Sequence, residues 1–306
     1  VIAAYVSNPP QDEADTIRHG TTFVIRGSGF GTKPQPQPVI FDDFENGSGN
    51  VEGQKGVVGT WGRGEWSRAV TYDTTQPLEG AKVAKHSFGS GNYNASLYVD
   101  RTATVAYADF WMRVVPRKNF TRNFKAWRFY GTNDSSVANE VVMCDSPGWA
   151  GMETGGGAWV QRARTASQWE HYRVVMKSGA GGVFSQHRDG IADVDNPVQG
   201  AGTVLGVRIG HYWALDGDAN CKANPGAEVY TDLVYVDTSL ARVYLADADV
   251  LAKARHTAIQ IPLTWSDTEV SVAANTQGFK AGATAYVLVI DAANRQRAAM
   301  KVTVRG

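Results

Sequence analysis

The side chains of this sequence that could do chemistry are cations and rings, set at alternate positions of short apolar runs. "KAWRFY" carries Arg128 and Tyr130, and "EHYRVVMK" carries His171, Arg173 and Lys177. "VRIGHYW" adds Arg208, His211 and Tyr212, and "YADFWMRV" adds Trp111 and Arg113. Successive side chains of an extended strand face opposite ways. With Phe110, Met112, Val114, Tyr172, Val174, Met176, Val207 and Ile209 turned to a core, Trp111, Arg113, His171, Arg173, Lys177, Arg208 and Tyr212 take the other side, while "FKAWRFY" is ambiguous because Trp127 and Phe129 oppose Arg128 and Tyr130. If these strands share a sheet, its outer face gathers arginine, lysine, histidine, tyrosine and tryptophan. Rings stack on the apolar faces of sugars, and guanidinium groups grip carboxylates in a two-pronged way. Such a face suits an acidic polysaccharide. A plain solvated face is the alternative.

The same residues allow a second chemistry. Elimination beside a uronate carboxylate needs cations to neutralise that carboxylate and a tyrosine or histidine to move the proton. Arg128, His171 and Tyr212 are the candidates for those roles. Hydrolysis needs instead two carboxylates about 5–10 Å apart, and Glu140, Asp145, Glu153 and Glu170 are scattered along the chain. No Gly-x-Ser-x-Gly elbow and no zinc-ligand spacing occurs.

The elements that position these residues follow from composition. Lysine plus arginine equal aspartate plus glutamate at 30 each, so no bulk charge argues for nucleic acid. No apolar run approaches the roughly 20 residues of a membrane span. Runs such as "TTFVIRG", "YADFWMRVV", "AEVYTDLVYVD" and "TAYVLVIDA" alternate and stop at Gly/Asn/Asp/Pro turns, which predicts strands. One stretch, "ADADVLAKARH" (246–256), predicts a helix of at most three turns. The expected fold is therefore all-β, built of antiparallel sandwiches. Cys144 and Cys221 lie in Gly/Asp/Asn-rich loops, which suits a disulfide in an oxidising compartment. Two free thiols are the other reading.

"RGSGFGTKPQPQP" (26–38) superficially offers a phosphate-binding loop, but its prolines cannot open the helix such a loop requires. The stretch resembles the second strand and turn of IPT/TIG domains, which are immunoglobulin-like sandwiches. There the glycines supply positive φ and the phenylalanine plugs the core. The tail "IQIPLTWSDTEVSVAANTQGFKAGATAYVLVIDA" resembles the second half of such a domain. The resemblance implies one Ig-like domain formed by residues 1–38 and 241–306, with residues 39–240 inserted.

The insert resembles the concanavalin A-like lectin/glucanase jelly roll, through "FDDFE", "YADFWMRV", "SQWEHYRVVMK" and "VRIGHYW…YTDLVYVD". That resemblance implies no required cofactor and allows for one structural calcium, with Asp43, Glu45 and Asp232 as its candidate ligands. It also implies an extracellular, cell-surface or virion setting. Alginate lyases of this fold carry Arg-x-Glu-x-Arg, Gln-x-His and Tyr-Phe-Lys-x-Gly-x-Tyr-x-Gln, none of which is matched residue for residue. Recognition of an acidic polysaccharide is thus the leading expectation, with a uronate lyase second. A self-assembling adhesin, phage decoration or surface-filament protein is third.

Overall fold

A computed structural model describes residues 5–7, 15–62, 70–87, 95–115, 124–131, 140–142, 151–153, 167–177, 182–198, 204–213 and 228–306. The chain runs through β1 (Tyr5–Ser7), β2 (Thr16–Arg18), β3 (Thr22–Arg26), β4 (Ile40–Asp42), β5 (Val70–Asp73) and β6 (Val83–Ser87). It continues through β7 (Leu97–Ala103), β8 (Val105–Val115), β9 (Phe124–Gly131), β10 (Glu140–Val142), β11 (Gly151–Glu153) and β12 (Trp169–Lys177). Next come β13 (Gly182–Arg188), β14 (Ile191–Val198), β15 (Val204–Trp213), β16 (Glu228–Asp237) and β17 (Arg242–Ala246). The last are β18 (Thr257–Ile259), β19 (Ile261–Trp265), β20 (Glu269–Ala273), β21 (Thr284–Ile290) and β22 (Gln296–Arg305). The fold is all-β and of the jelly-roll class. Among the described residues no helix is long and apolar enough to cross a membrane.

Two compact units divide the chain. One comprises Val1–Pro38, Asp189–Ile191 and Ser239–Gly306, and the other Val39–Arg188 and Ala192–Thr238. The smaller unit has one sheet in the order β1-β3-β20-β19 and another in the order β18-β17-β21-β22-β2. Phe23, Ile25, Val270 and Val272 from the first meet Val243, Val287, Val289 and Val302 from the second in one core. Alternation makes this possible, since β20 reads buried at every second residue.

The Gly27–Gly31 turn belongs to this unit. Gly29 and Gly31 adopt φ of +75° and +76°, where a Cβ is strained, and Phe30 between them is buried in the core. The turn does hold an anion, but one from the chain itself. Asp267 accepts hydrogen bonds from the amides of Gly29 (3.3 Å) and Gly31 (2.9 Å), and its own carbonyl accepts from Phe30. The glycine nest is filled by "WSDT".

The helix expected over 246–256 does not form. Its segment makes a single turn, with Lys253 and Ala254 donating to the Val250 carbonyl. Asp247 captures the amide of Arg255 and Gln296 captures that of Leu251, so side chains take the hydrogen bonds a helix would use.

In the larger unit, an eight-stranded sheet runs β14-β13-β12-β8-β16-β6-β5, with β4 also paired to β16. A three-stranded sheet runs β7-β15-β9. Phe110, Met112, Val114, Tyr172, Val174 and Met176 of the first sheet and Leu97, Val99, Trp127, Phe129, Val207 and Ile209 of the second share one core.

Candidate functional site

The two sheets separate the cations that alternation alone would place together. Trp111 and Arg113 on β8 and His171, Arg173 and Lys177 on β12 belong to the eight-stranded sheet. Arg128 and Tyr130 on β9 and Arg208, His211 and Tyr212 on β15 belong to the three-stranded one. With the core between the sheets, their outer faces are distinct surfaces. The single mixed face expected from sequence becomes two. Pairing between strands distant in sequence decides this, and local alternation cannot report it.

On the larger sheet His171 and Arg173 are buried. His171 is 3% exposed, and its Nε2 lies 2.6 Å from Asp109 Oδ1. Tyr107 donates to the other Asp109 oxygen at 2.7 Å, and Trp111 stacks on the His171 ring at 4.7 Å between centroids. Arg173 is buried and lies directly opposite Asp109 in the ladder. A histidine sealed this way cannot touch a polymer, so the substrate-proton role expected of it is withdrawn. Arg113 is half-buried, and Lys177 is exposed at the end of β12.

The smaller sheet is arranged differently. Register places Arg208 of β15 opposite Tyr98 of β7 on one side and opposite Arg128 of β9 on the other. Trp127 and Phe129 are buried in the core, so Arg128 and Tyr130 occupy the alternate positions of β9. The side chains of Arg128, Tyr130, His211 and Tyr212 lie outside the described residues, as do Cys144 and Cys221. Arg208 holds its guanidinium over the Tyr98 ring, 4.7 Å from the centroid, a geometry that fixes the plane of its donors. Tyr98 also hydrogen-bonds Asp100; burial, followed by the charge of Asp100, pushes its hydroxyl pKa up. Gly206 makes room for this: a Cβ there would meet the Tyr98 ring at 2.9 Å. Sequence reading missed Tyr98, although "SLYVD" alternates Leu97 and Val99 inward and so places Tyr98 and Asp100 on the opposite side.

Loop residues 50–62 brace Tyr98 from one side. Gly62 donates its amide to the Tyr98 carbonyl at 2.8 Å. The neighbouring Trp61 is buried, stacks on Phe44 and donates its indole N–H to Asp42 at 2.6 Å. A cavity of about 10 Å³ lies between Trp61, Ser96 and Tyr98, room for one water at most and none for a sugar ring. Arg208 is itself buried, at 8% exposure.

Burial pushes the Asp42 carboxyl from 3.8 up to about 6, against the lowering effect of the Trp61 hydrogen bond. A raised carboxyl pKa means the folded state holds its proton more tightly than the unfolded state. Its contribution is full below about 3.8 and is lost as pH rises through about 6, roughly 3 kcal/mol across that window. His86 acts in the opposite sense, because burial lowers its pKa from 6.5 to about 4. The Asp42 effect is therefore read as a difference. Denaturant titrations of wild type and Asp42→Asn should diverge steadily between about pH 4 and 6, and parallel profiles would refute the assignment.

Tyr212 does not continue the alternation that carries Arg208. A register shift between Ile209 and Tyr212 brings Tyr212 opposite Lys125, and a one-residue slip exchanges the two faces. The cause is Gly210, at φ +69°. His86 lies against it, 0% exposed, fixed by Ala95 O at 2.8 Å and Thr231 Oγ1 at 2.7 Å. A glycine inside a strand is the sequence signal for such a bulge.

The residues expected to hold calcium do not fit one. Calcium takes roughly six to eight converging oxygens. Here Glu45 accepts the amides of Ala81 and Lys82, Asp232 those of Leu78 and Leu233, and Asp43 that of Glu45. Among the described residues no group of three acidic, histidine or cysteine side chains could hold a metal.

No protein-family model and no curated protein matches this chain. Solved structures do resemble it. One is the endo-beta-1,4-glucuronan lyase of the fungus Trichoderma reesei, at 13% identity over 67% of this chain and 97% of that one, TM-score 0.45. Another is the cellulose induced protein Cip1, at 13% identity over 65% of this chain and 97% of that one, TM-score 0.45. A third is the alginate lyase Aly36B, at 10% identity over 66% and 97%, TM-score 0.41. Identities and scores of this size transfer no activity to this chain.

Proposed function

We propose that the outer face of the β7-β15-β9 sheet recognises an acidic polysaccharide, with Arg208 and Arg128 taking its carboxylates and Tyr98 holding Arg208 in plane. The observation that carries this is the pairing of Arg208 directly opposite Arg128. Like charges opposite one another on antiparallel strands are unfavourable, and a plain solvated surface gains nothing from them. A shared anion turns the same pair into a two-armed clamp, since each guanidinium offers a flat fork of donors.

Binding is preferred to elimination on this face. A lyase needs its proton-transferring residue beside the carboxylate clamp, and Tyr212 is out of step with Arg208 in the ladder. The polymer's chemistry also favours work outside a cell, where such glycans are met.

The test is a binding titration of the full chain with a soluble polyuronate. Arg208→Ala should weaken binding by at least tenfold, and Arg208→Lys, which keeps charge but loses the fork and the stack, by nearly as much. Binding should also weaken as salt rises. Undiminished affinity in Arg208→Ala would refute the proposal. Release of unsaturated product, seen as ultraviolet absorbance of the new conjugated bond, would convert the reading to a lyase.

A further inference from the structure

The acidic turns where calcium was expected are held together by a clasp with its own cation. The turn leaving β4 carries Glu45 and Gly47, and the turn entering β6 carries Gly80, Ala81 and Lys82. Each turn grips the backbone of the other. Glu45 Oε1 accepts the amides of Ala81 and Lys82, both at 2.9 Å, and Oε2 accepts Ala81 at 3.1 Å. In return Lys82 Nζ donates to the carbonyls of Glu45 and Gly47, both at 2.9 Å. Asp232 on β16 joins the same turn through the Leu78 amide at 3.1 Å and is 1% exposed.

The polarity of these contacts is the point. Carbonyls that would feed a metal instead accept the ammonium, and carboxylates that would ligate it accept backbone N–H groups. Gly80, at φ +65°, is required for the fit, because a Cβ there would lie 2.3 Å from Glu45 Oε1. A divalent ion entering here would have to displace a bonded ammonium and break several amide bonds.

We propose that Lys82 is the resident cation of this clasp, so that these acidic turns are locked by the chain's own ammonium and take no calcium. Lysine suits the role because its compact charge carries three rotatable donors. The clasp ties β4 to the β5–β6 connection at one edge of the eight-stranded sheet, and its loss should be felt in stability.

The experiment is thermal unfolding of the full chain, with calcium chloride as the probe and a chelator as its control, beside a calorimetric calcium titration. Wild type should show the same midpoint in both conditions and no heat of binding. Lys82→Met should lower the midpoint by roughly 5 °C, and Lys82→Arg should recover part of that loss. A saturable rise of the wild-type midpoint with calcium would overturn the proposal. So would a Lys82→Met midpoint equal to wild type. If Lys82→Met does not fold, the wild-type calcium titration still decides.

Discussion

Replacing Arg188 by methionine should destabilise the larger unit by about 3–5 kcal/mol. Arg188 is 2% exposed and lies 3.3 Å from both Glu170 Oε1 and Asp193 Oδ2, which are themselves buried. Tyr172 donates to Glu170, and Gln186 donates to Asp193 at 2.8 Å while accepting the Trp127 indole N–H at 2.7 Å. Methionine would leave two carboxylates inside the protein with their cation gone. The cost is the desolvation of those charges, not the intrinsic strength of the pair. It follows that Arg188→Met combined with Glu170→Leu and Asp193→Leu should recover most of the loss, because an apolar cluster of similar volume replaces the ions. Calorimetry should show the single variant melting on the order of 10 °C lower. A fall of only a degree or two would show the network to be incidental. Binding should suffer as well, since the network anchors Trp127, the neighbour of Arg128 on β9.

Gly210→Ala should cost about 3 kcal/mol, from two separate sources. Its φ of +69° is strained by roughly 1–2 kcal/mol for a residue with a Cβ. The new Cβ would also lie 2.4 Å from two atoms of the His86 ring, and overpacking in a core adds about 1–3 kcal/mol. The ring cannot swing away without losing its bonds to Ala95 and Thr231. The Ala95 carbonyl can only accept, so Nδ1 carries the proton, and burial, which lowers the ring's pKa to about 4, leaves Nε2 unprotonated to accept from Thr231. Urea unfolding measures the loss, and Gly210→Ala in a His86→Ala background should cost markedly less than in wild type. Equal costs in the two backgrounds would show that the histidine does not impose the glycine.

Much of the packing was legible from residue alternation. Phe110, Met112 and Val114, or Tyr172, Val174 and Met176, reach the core because a period of two leaves a strand no other way to bury them. Phe30 and its flanking glycines were equally readable, because positive φ and a buried ring are local properties. The division of Arg128 and Arg208 from His171 and Arg173 was not legible. It depends on which strands pair across long stretches of chain, and nothing near those residues encodes it. The burial of His171 was hidden for a related reason, since its partner Asp109 comes from a strand 62 positions earlier. Tyr212 failed on a local feature that was available, the glycine two residues before it. "ADADVLAKARH" failed because Asp247 and Gln296 compete for helix amides, and one of those partners is distant in sequence.

The central claim is that this chain recognises the carboxylates of a polysaccharide through the arginines of the smaller sheet. The most direct measurement compares one polyuronate before and after chemical reduction of its carboxyl groups to alcohols, at equal chain length and fixed low salt. The native polymer should bind the wild-type protein and lose affinity to Arg208→Ala, while the reduced polymer should bind neither. Equal binding of native and reduced polymer by the wild type would contradict the account.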